Sequence, residues 1–274
     1  MMEFSSQDIG KTRKYAFLRE ERYRFQGLRN ENHVEMGMTV DVLSVQQGLP
    51  VFKISMLRYK QSNAIGMYRW VGDLHEIRNE LIFTLDENGR LGTVLNIEDI
   101  RKKWEKIKPE LIRNHKTEPY KDIFMTGISE LLEDPVQLAS ALRFAHPYLL
   151  LFPGIHHNDL KKQETLKGYR ELPNFLATKN VPINTAETLT ELSDGTYRID
   201  VSGSIDEDRF EQDKVTAMIR ILKNRPRVPT QLQLGYIERY HLDEWPWSSQ
   251  SMCMSIAEIP GTLYREERNI LKAI

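Results

Sequence analysis

Along residues 33–45 the side chains alternate. Val34, Met36, Met38, Val40 and Val42 take one phase, and Glu35, Gly37, Thr39, Asp41 and Leu43 take the other. A period of two predicts a strand with one buried face. Gln47-Gly48-Leu49-Pro50 breaks the run, and residues 51–59, with Phe52, Ile54 and Met56 in phase, predict the second arm of a long antiparallel hairpin. Residues 77–85 and 90–95 flank Asp86-Glu87-Asn88-Gly89, whose Asn and Gly accept the positive φ of a tight turn, so a second hairpin is expected there.

At Asn96 the period lengthens. Ile97, Ile100, Trp104, Ile107 and Leu111 recur at spacings of three and four, with Asn96 as the N-cap and Glu98 and Asp99 in the first turn, predicting a helix to Asn114 that bends or splits at Pro109. Tyr120, Ile123, Phe124, Ile128, Leu131 and Leu132 predict a second helix. Asp134-Pro135-Val136-Gln137 is the start signal for a third, running to Ala145. Residues 160–193, punctuated by Pro173, Asn180, Pro182 and Asn184, hold no sustained period and predict an irregular segment with one short strand.

Beyond it, Tyr197, Ile199 and Val201 mark a strand, and Ser204-Ile205-Asp206-Glu207 offers a capping box for an amphipathic helix to Lys223. Leu232, Leu234, Tyr236, Glu238, Tyr240 and Leu242 share one strand face. Met252, Met254 and Ile256 share another before the Pro260-Gly261 turn. Strands that bracket helices without alternating with them predict an α+β fold: mainly antiparallel, curved sheet with a central run of three helices packed on one face. The organisation expected is residues 1–160 as N-terminal hairpins plus central helices and 161–274 as a C-terminal sheet-plus-helix half, or both halves continuous in one domain.

At 274 residues the chain is long enough for folding to bury roughly three-quarters of its extended surface. Lys and Arg number 38 against 39 Asp and Glu, which argues against a strongly basic nucleic-acid binder and leaves no nucleic-acid partner expected. The longest purely apolar stretch, Tyr148 to Phe152, is far short of the ~20 residues a membrane-crossing helix needs, so no membrane span is expected. One cysteine, Cys253, and no Asn-x-Ser/Thr site make the cytoplasm the expected location.

Candidate chemistry is sparse. His156-His157-Asn158-Asp159 brings two imidazoles and a carboxylate together, the ligand types that suit zinc, although consecutive residues on an extended segment point in opposite directions. His33, His75, His115, His146 and His241 are scattered and read as partly buried or surface side chains. Neither a nucleophile elbow nor a glycine-rich phosphate loop occurs, and Cys253, flanked by Met252 and Met254, reads as a buried inert thiol.

Asp243 and Glu244 precede Trp245-Pro246-Trp247 in a loop between two strands, a composition that suits partner recognition. Met36, Met38, Met252 and Met254 on strands would suit an apolar ligand if one concave face carried them all. Arg19-Glu20-Glu21-Arg22 recurs as Arg265-Glu266-Glu267-Arg268 and reads as solvated charge.

The leading functional expectation is therefore a non-catalytic protein-binding or assembly subunit of a larger cytoplasmic complex, with Trp245, Trp247, Asp243 and Glu244 meeting other protein subunits. The first alternative is a half-barrel carrier of an apolar small molecule. The second is a metal-assisted hydrolase using His156, His157 and Asp159. No cofactor is implied.

Overall fold

The alternation at 33–45 is the middle of a strand that spans Leu28–Gln46 (β2) and pairs with Leu49–Gln61 (β3). The computed structural model describes residues 6–25, 27–46, 49–63, 67–118, 121–154, 165–176, 179–223, 229–244 and 247–274. Thr12–Phe25 (β1) precedes this hairpin, and Glu80–Leu85 (β4) and Leu91–Val94 (β5) follow it. Leu166–Leu176 (β6), Lys179–Glu191 (β7), Tyr197–Ile205 (β8), Gln233–Glu244 (β9), Trp247–Ile259 (β10) and Leu263–Ala273 (β11) complete an 11-stranded sheet. All neighbours are antiparallel, in the order β5-β4-β3-β2-β1-β11-β10-β9-β8-β7-β6, so the first and last strands meet at its centre.

Met67–Asp73 (α1) leads through a 3₁₀ turn at Leu74–Arg78 into β4. Between the edge strands β5 and β6 lie Ile97–Asn114 (α2), Lys121–Leu131 (α3), Pro135–Arg143 (α4) and Tyr148–Leu151 (α5). Among the described residues the central segment thus holds four helices where three were expected. The added one is the short apolar stretch, all of whose side chains are buried. Gln212–Lys223 (α6) joins β8 to β9.

Three local expectations are corrected. Within 160–193 the described residues are not irregular: they form β6 and β7, two long paired strands that tolerate Pro182 and the asparagines. α2 continues through Pro109 to Asn114 as one helix, and Asn96 stands at its N-cap position without a capping side-chain hydrogen bond. The Asn96 side chain instead accepts from the Ile82 amide at 2.8 Å and donates to the Glu80 carbonyl at 3.2 Å, tying the helix start to β4. β8 takes in Ser204 and Ile205 of the proposed capping box, and α6 starts only at Gln212.

Side-chain contacts show how far the sheet curls. Arg170 on β6 reaches Glu238 on β9, with Nε donating at 2.9 Å. Three strand spacings of a flat sheet would separate them by ~14 Å, farther than an arginine extends. The edges also come together: Arg90, in the β4–β5 turn, donates to the Tyr169 carbonyl on β6 at 3.3 Å, where a flat sheet would hold them ~48 Å apart. The sheet is therefore an incomplete barrel wrapped round α5, whose Leu150 carbonyl accepts from Ser251 Oγ on β10 at 3.1 Å.

Arginines also cover the open edge. Arg143 of α4 donates to the Leu91 carbonyl at 3.3 Å and pairs with Asp86 at 3.2 Å, occupying backbone that would otherwise invite another strand. One continuous hydrophobic core runs from β2–β5 across the helices to β6–β9. Among the described residues, no helix is long and apolar enough to cross a membrane.

Candidate functional site

The inward phase of β1 reads Tyr15, Phe17, Arg19, Glu21, Tyr23, and that of β11 reads Leu263, Arg265, Glu267, Asn269, Leu271. Two apolar stretches thus carry charges on the face that packs against the helices. The register sets Glu21 opposite Glu267 and Arg19 opposite Asn269. Continuing across the sheet, Glu267 faces Ser255, Ser255 faces Tyr236, and the row runs through Gly203 and Thr185 to Gly168 on β6. A polar seam therefore crosses the concave face at right angles to the strands.

At its β1–β11 end lies a quartet. Arg19 Nη2 lies 3.0 Å from Glu21 and 3.1 Å from Glu267, while Arg265 lies 3.0 Å from Glu21 and 3.1 Å from Glu267. Burial works against the Glu267 carboxylate, but Arg19 and Arg265 outweigh it and hold the group down at about 2. Burial likewise opposes the Arg19 charge, and the two glutamates more than restore it. The two tetrapeptides read as solvated charge are thus half buried: their Arg19, Glu21, Arg265 and Glu267 face inward, and Glu20, Arg22, Glu266 and Arg268 face out.

The second cluster centres on Arg170, which is fully buried. It forks onto both oxygens of Glu238 at 2.9 and 3.3 Å and reaches Glu187 at 3.2 Å. Glu238 also accepts from Tyr240 at 2.7 Å and from the Tyr236 hydroxyl, so its lone pairs are filled. Burial raises its carboxyl, but Arg170 and these donors bring it below the usual range. For Glu187 burial prevails and the carboxyl rises.

Room for this cluster comes from glycine. A Cβ on Gly168 would sit 2.5 Å from Glu187 Oε1 and 2.6 Å from Thr185 Oγ1. Cys253 lies beside Glu238 in the register, and burial pushes its thiol well above the ordinary value. The expectation of a buried inert thiol fits that environment.

The helical side closes over the seam. Tyr68 of α1 hydrogen-bonds Glu21. α1 is pinned in turn by His115, which meets Asp73 at 2.8 Å and Glu118 at 3.2 Å and stacks on Trp70 at 3.7 Å. Tyr59 on β3 stacks on His75 at 4.7 Å, and Arg78 follows His75 by three residues in the same 3₁₀ turn, on the same side. His146 precedes α5; burial pushes its imidazole down to about 4, with Glu267 and Glu238 pulling the other way and Arg19 reinforcing the drop.

Among the described residues, several buried polar atoms around the seam have no hydrogen-bond partner: Arg19 Nε, Asn32 Oδ1, Asn269 Oδ1, Arg78 Nε, His146 Nδ1, Tyr148 OH and Thr185 Oγ1. Buried polar atoms are almost always met by protein, water or ligand.

The residues expected to carry function lie away from this seam or outside the described residues. Asp243 and Glu244 end β9, and Trp247 opens β10 opposite Glu244. Trp245 lies outside the described residues, as do His156, His157 and Asp159. Among the described residues no group of His, Cys, Asp and Glu is arranged to hold a metal ion. The four methionines do not line one concave face: Met36 and Met38 face the helices, whereas Met252 and Met254 sit on the opposite, outer phase.

The seam itself was missed, although a signal existed. Glu238 stands in phase with Leu234, Tyr236, Tyr240 and Leu242, and an acid in an apolar phase implies a buried partner.

No family model matches the chain, and no curated protein matches it. Among solved structures it is similar to one described as lipid-protein interactions in lipovitellin, at 10% identity and a TM-score of 0.45 over 97% of this chain. The chain spans about a quarter of that chain, 25% of its length. A likeness at this level carries no functional argument.

Proposed function

We propose that the protein is a binding protein and that its ligand site is the polar seam. The observation that carries this reading is the set of buried, unpartnered polar atoms gathered between the sheet and the α1–α5 layer. Recognition suits these groups better than bond-making. Glu267 and Glu238 are stabilised as carboxylates, which makes them weak bases, and Cys253 is held as a thiol. An apolar cargo fits less well, because the protein's own α5 fills the wrap beside β10 and β11 and the remaining atoms are polar.

Native mass spectrometry of the 274-residue chain, purified gently, tests the reading. A stoichiometric small-molecule adduct that is lost on denaturation is expected. A bare mass under conditions that preserve the fold contradicts it.

A second reading is favoured by the outer face. Leu18, Ile270 and Met252 lie side by side on β1, β11 and β10, and Met254 and Ile237 continue the stripe one row on, all at least partly exposed. Ion pairs such as Arg22–Glu266 and Arg239–Asp200 border it. A contiguous apolar stripe on the centre of a sheet is a protein-docking feature, in keeping with an assembly role. Sedimentation of the Met254→Lys/Ile237→Lys variant beside the parent protein tests it: self-association that survives both lysines removes this reading.

A further inference from the structure

Among the arginines of the concave side, Arg78 has no counterion. The quartet is balanced, with Arg19 and Arg265 against Glu21 and Glu267. Arg170 has Glu238, and Arg143 has Asp86. Arg78 makes no ion pair or hydrogen bond among the described residues, and its Nε is buried. A half-buried guanidinium without a partner is costly, and protein structures retain such groups where something supplies the missing charge.

The neighbours of Arg78 are also incomplete. Tyr148, at the start of α5, is 1% exposed and its hydroxyl has no partner. The phenol of Tyr148 lies within electrostatic reach of Arg78, and that of Tyr59 within reach of both Arg78 and Arg19. Two residues before Tyr148, His146 has an unpartnered Nδ1 and feels both Arg19 and Glu267. Donors predominate on the roof, in Arg78 and Tyr148. Unfilled acceptors lie on the sheet floor, in Asn32 Oδ1 and Asn269 Oδ1.

We infer that Arg78 and Tyr148 form the anion-binding end of the seam, and that the ligand is a small polar molecule with a carboxylate or phosphate at one end and hydrogen-bond donors along its length. The anionic group meets the guanidinium and the phenol, while hydroxyl or amine groups on the ligand satisfy the two asparagine oxygens. This assignment rests on the reading of the seam as a ligand site and adds the chemical class of what binds there.

The test compares the parent chain with Arg78→Met and Arg78→Gln in an anion-poor buffer. Because an unpaired guanidinium contributes nothing to the empty fold, both variants melt at or above the parent temperature. Inorganic phosphate and acetate, each titrated at constant ionic strength against chloride, then separate the two anion types. The expected result is that one of them raises the parent melting temperature by roughly 2 °C or more and moves neither variant. Affinity for that anion in Arg78→Gln falls about tenfold or more, the loss of one charge-assisted contact.

A large fall in melting temperature of both empty variants would make Arg78 structural and overturn the assignment. Equal anion shifts in parent and variants, or no shift in the parent, would overturn it too. The two claims fail separately: an adduct seen by native mass spectrometry in parent and Arg78→Gln alike keeps the seam as a ligand site and removes Arg78 from it.

Discussion

The two sides of the sheet share one hydrogen-bonded ladder and differ in what they turn inward. From β2 to β5 the concave face is Val34, Met36, Met38, Val40, Val42, Phe52, Ile54, Leu81, Phe83 and Leu85, a plain apolar core in which Phe52, Phe83 and Phe152 pack ring against ring. From β1 through β11 to β6 the same phase carries Arg19, Glu21, Arg265, Glu267, Glu238, Glu187 and Arg170. The first side is held by removal of apolar area from water, which is non-directional. The second depends on pairs whose desolvation offsets much of their attraction, so it adds shape and polarity more than stability. A fold that keeps such an interior next to a sufficient apolar one has a use for the polarity, and the use we propose is recognition.

The contrast is broken most forcefully at Glu238. Glu238→Leu leaves Arg170 buried against the raised Glu187 alone, and unfolding in urea should show a loss of about 3–5 kcal/mol. The double variant Arg170→Met/Glu238→Leu should recover most of it. On the apolar side Phe83→Ala costs a similar ~3–5 kcal/mol by leaving a cavity, and no second substitution of a charge restores it. A Glu238→Leu protein as stable as the parent would erase the distinction.

Glycine sharpens it at a smaller scale. Gly168→Ala drives a methyl into Glu187 and Thr185 and should cost about 1–3 kcal/mol in a thermal melt. Gly37→Ala in β2 meets only Arg58 Cβ at 3.8 Å and should change stability by under ~0.5 kcal/mol.

Acid should act chiefly through the polar side, in two windows. His146 titrates at about 4 when folded and 6.5 when unfolded, so the unfolded chain takes up a proton that the native state refuses, and stability falls as pH drops from 6.5 towards 4. Glu267 is depressed from 4.5 to about 2, so its contribution is complete above 4.5 and is lost as pH falls through that range. Denaturant titrations across pH should show His146→Gln flattening the upper limb and leaving the lower one; an unchanged upper limb would show that His146 is not the group responsible. The smallest effect belongs to the outer stripe, where Met254→Lys should alter stability by less than ~0.5 kcal/mol.

Much of the first half was legible because its pattern is pure. Val34 to Val42 and Phe52 to Met56 alternate without exception, and Asn88-Gly89 fits the turn that follows β4. β1 and β11 were not legible as strands: Arg-Glu-Glu-Arg places charge in both phases, and only the partner strand reveals that half of it is buried. β6 and β7 were hidden by Pro182 and the asparagines, residues a neighbouring strand accommodates but a local pattern does not predict. The site was illegible for a related reason. Arg78 sits in a short 3₁₀ turn and Tyr148 in an apolar stretch, 70 residues apart, and only the curl of the sheet round α5 joins them.

The most direct test of the account is a crystal structure of the gently purified chain at a resolution that separates water from ligand. The account predicts continuous non-water density running from Arg78 and Tyr148 towards Asn269 and Asn32. Separate ordered waters satisfying each of those atoms, with Arg78 turned out to solvent, would contradict it.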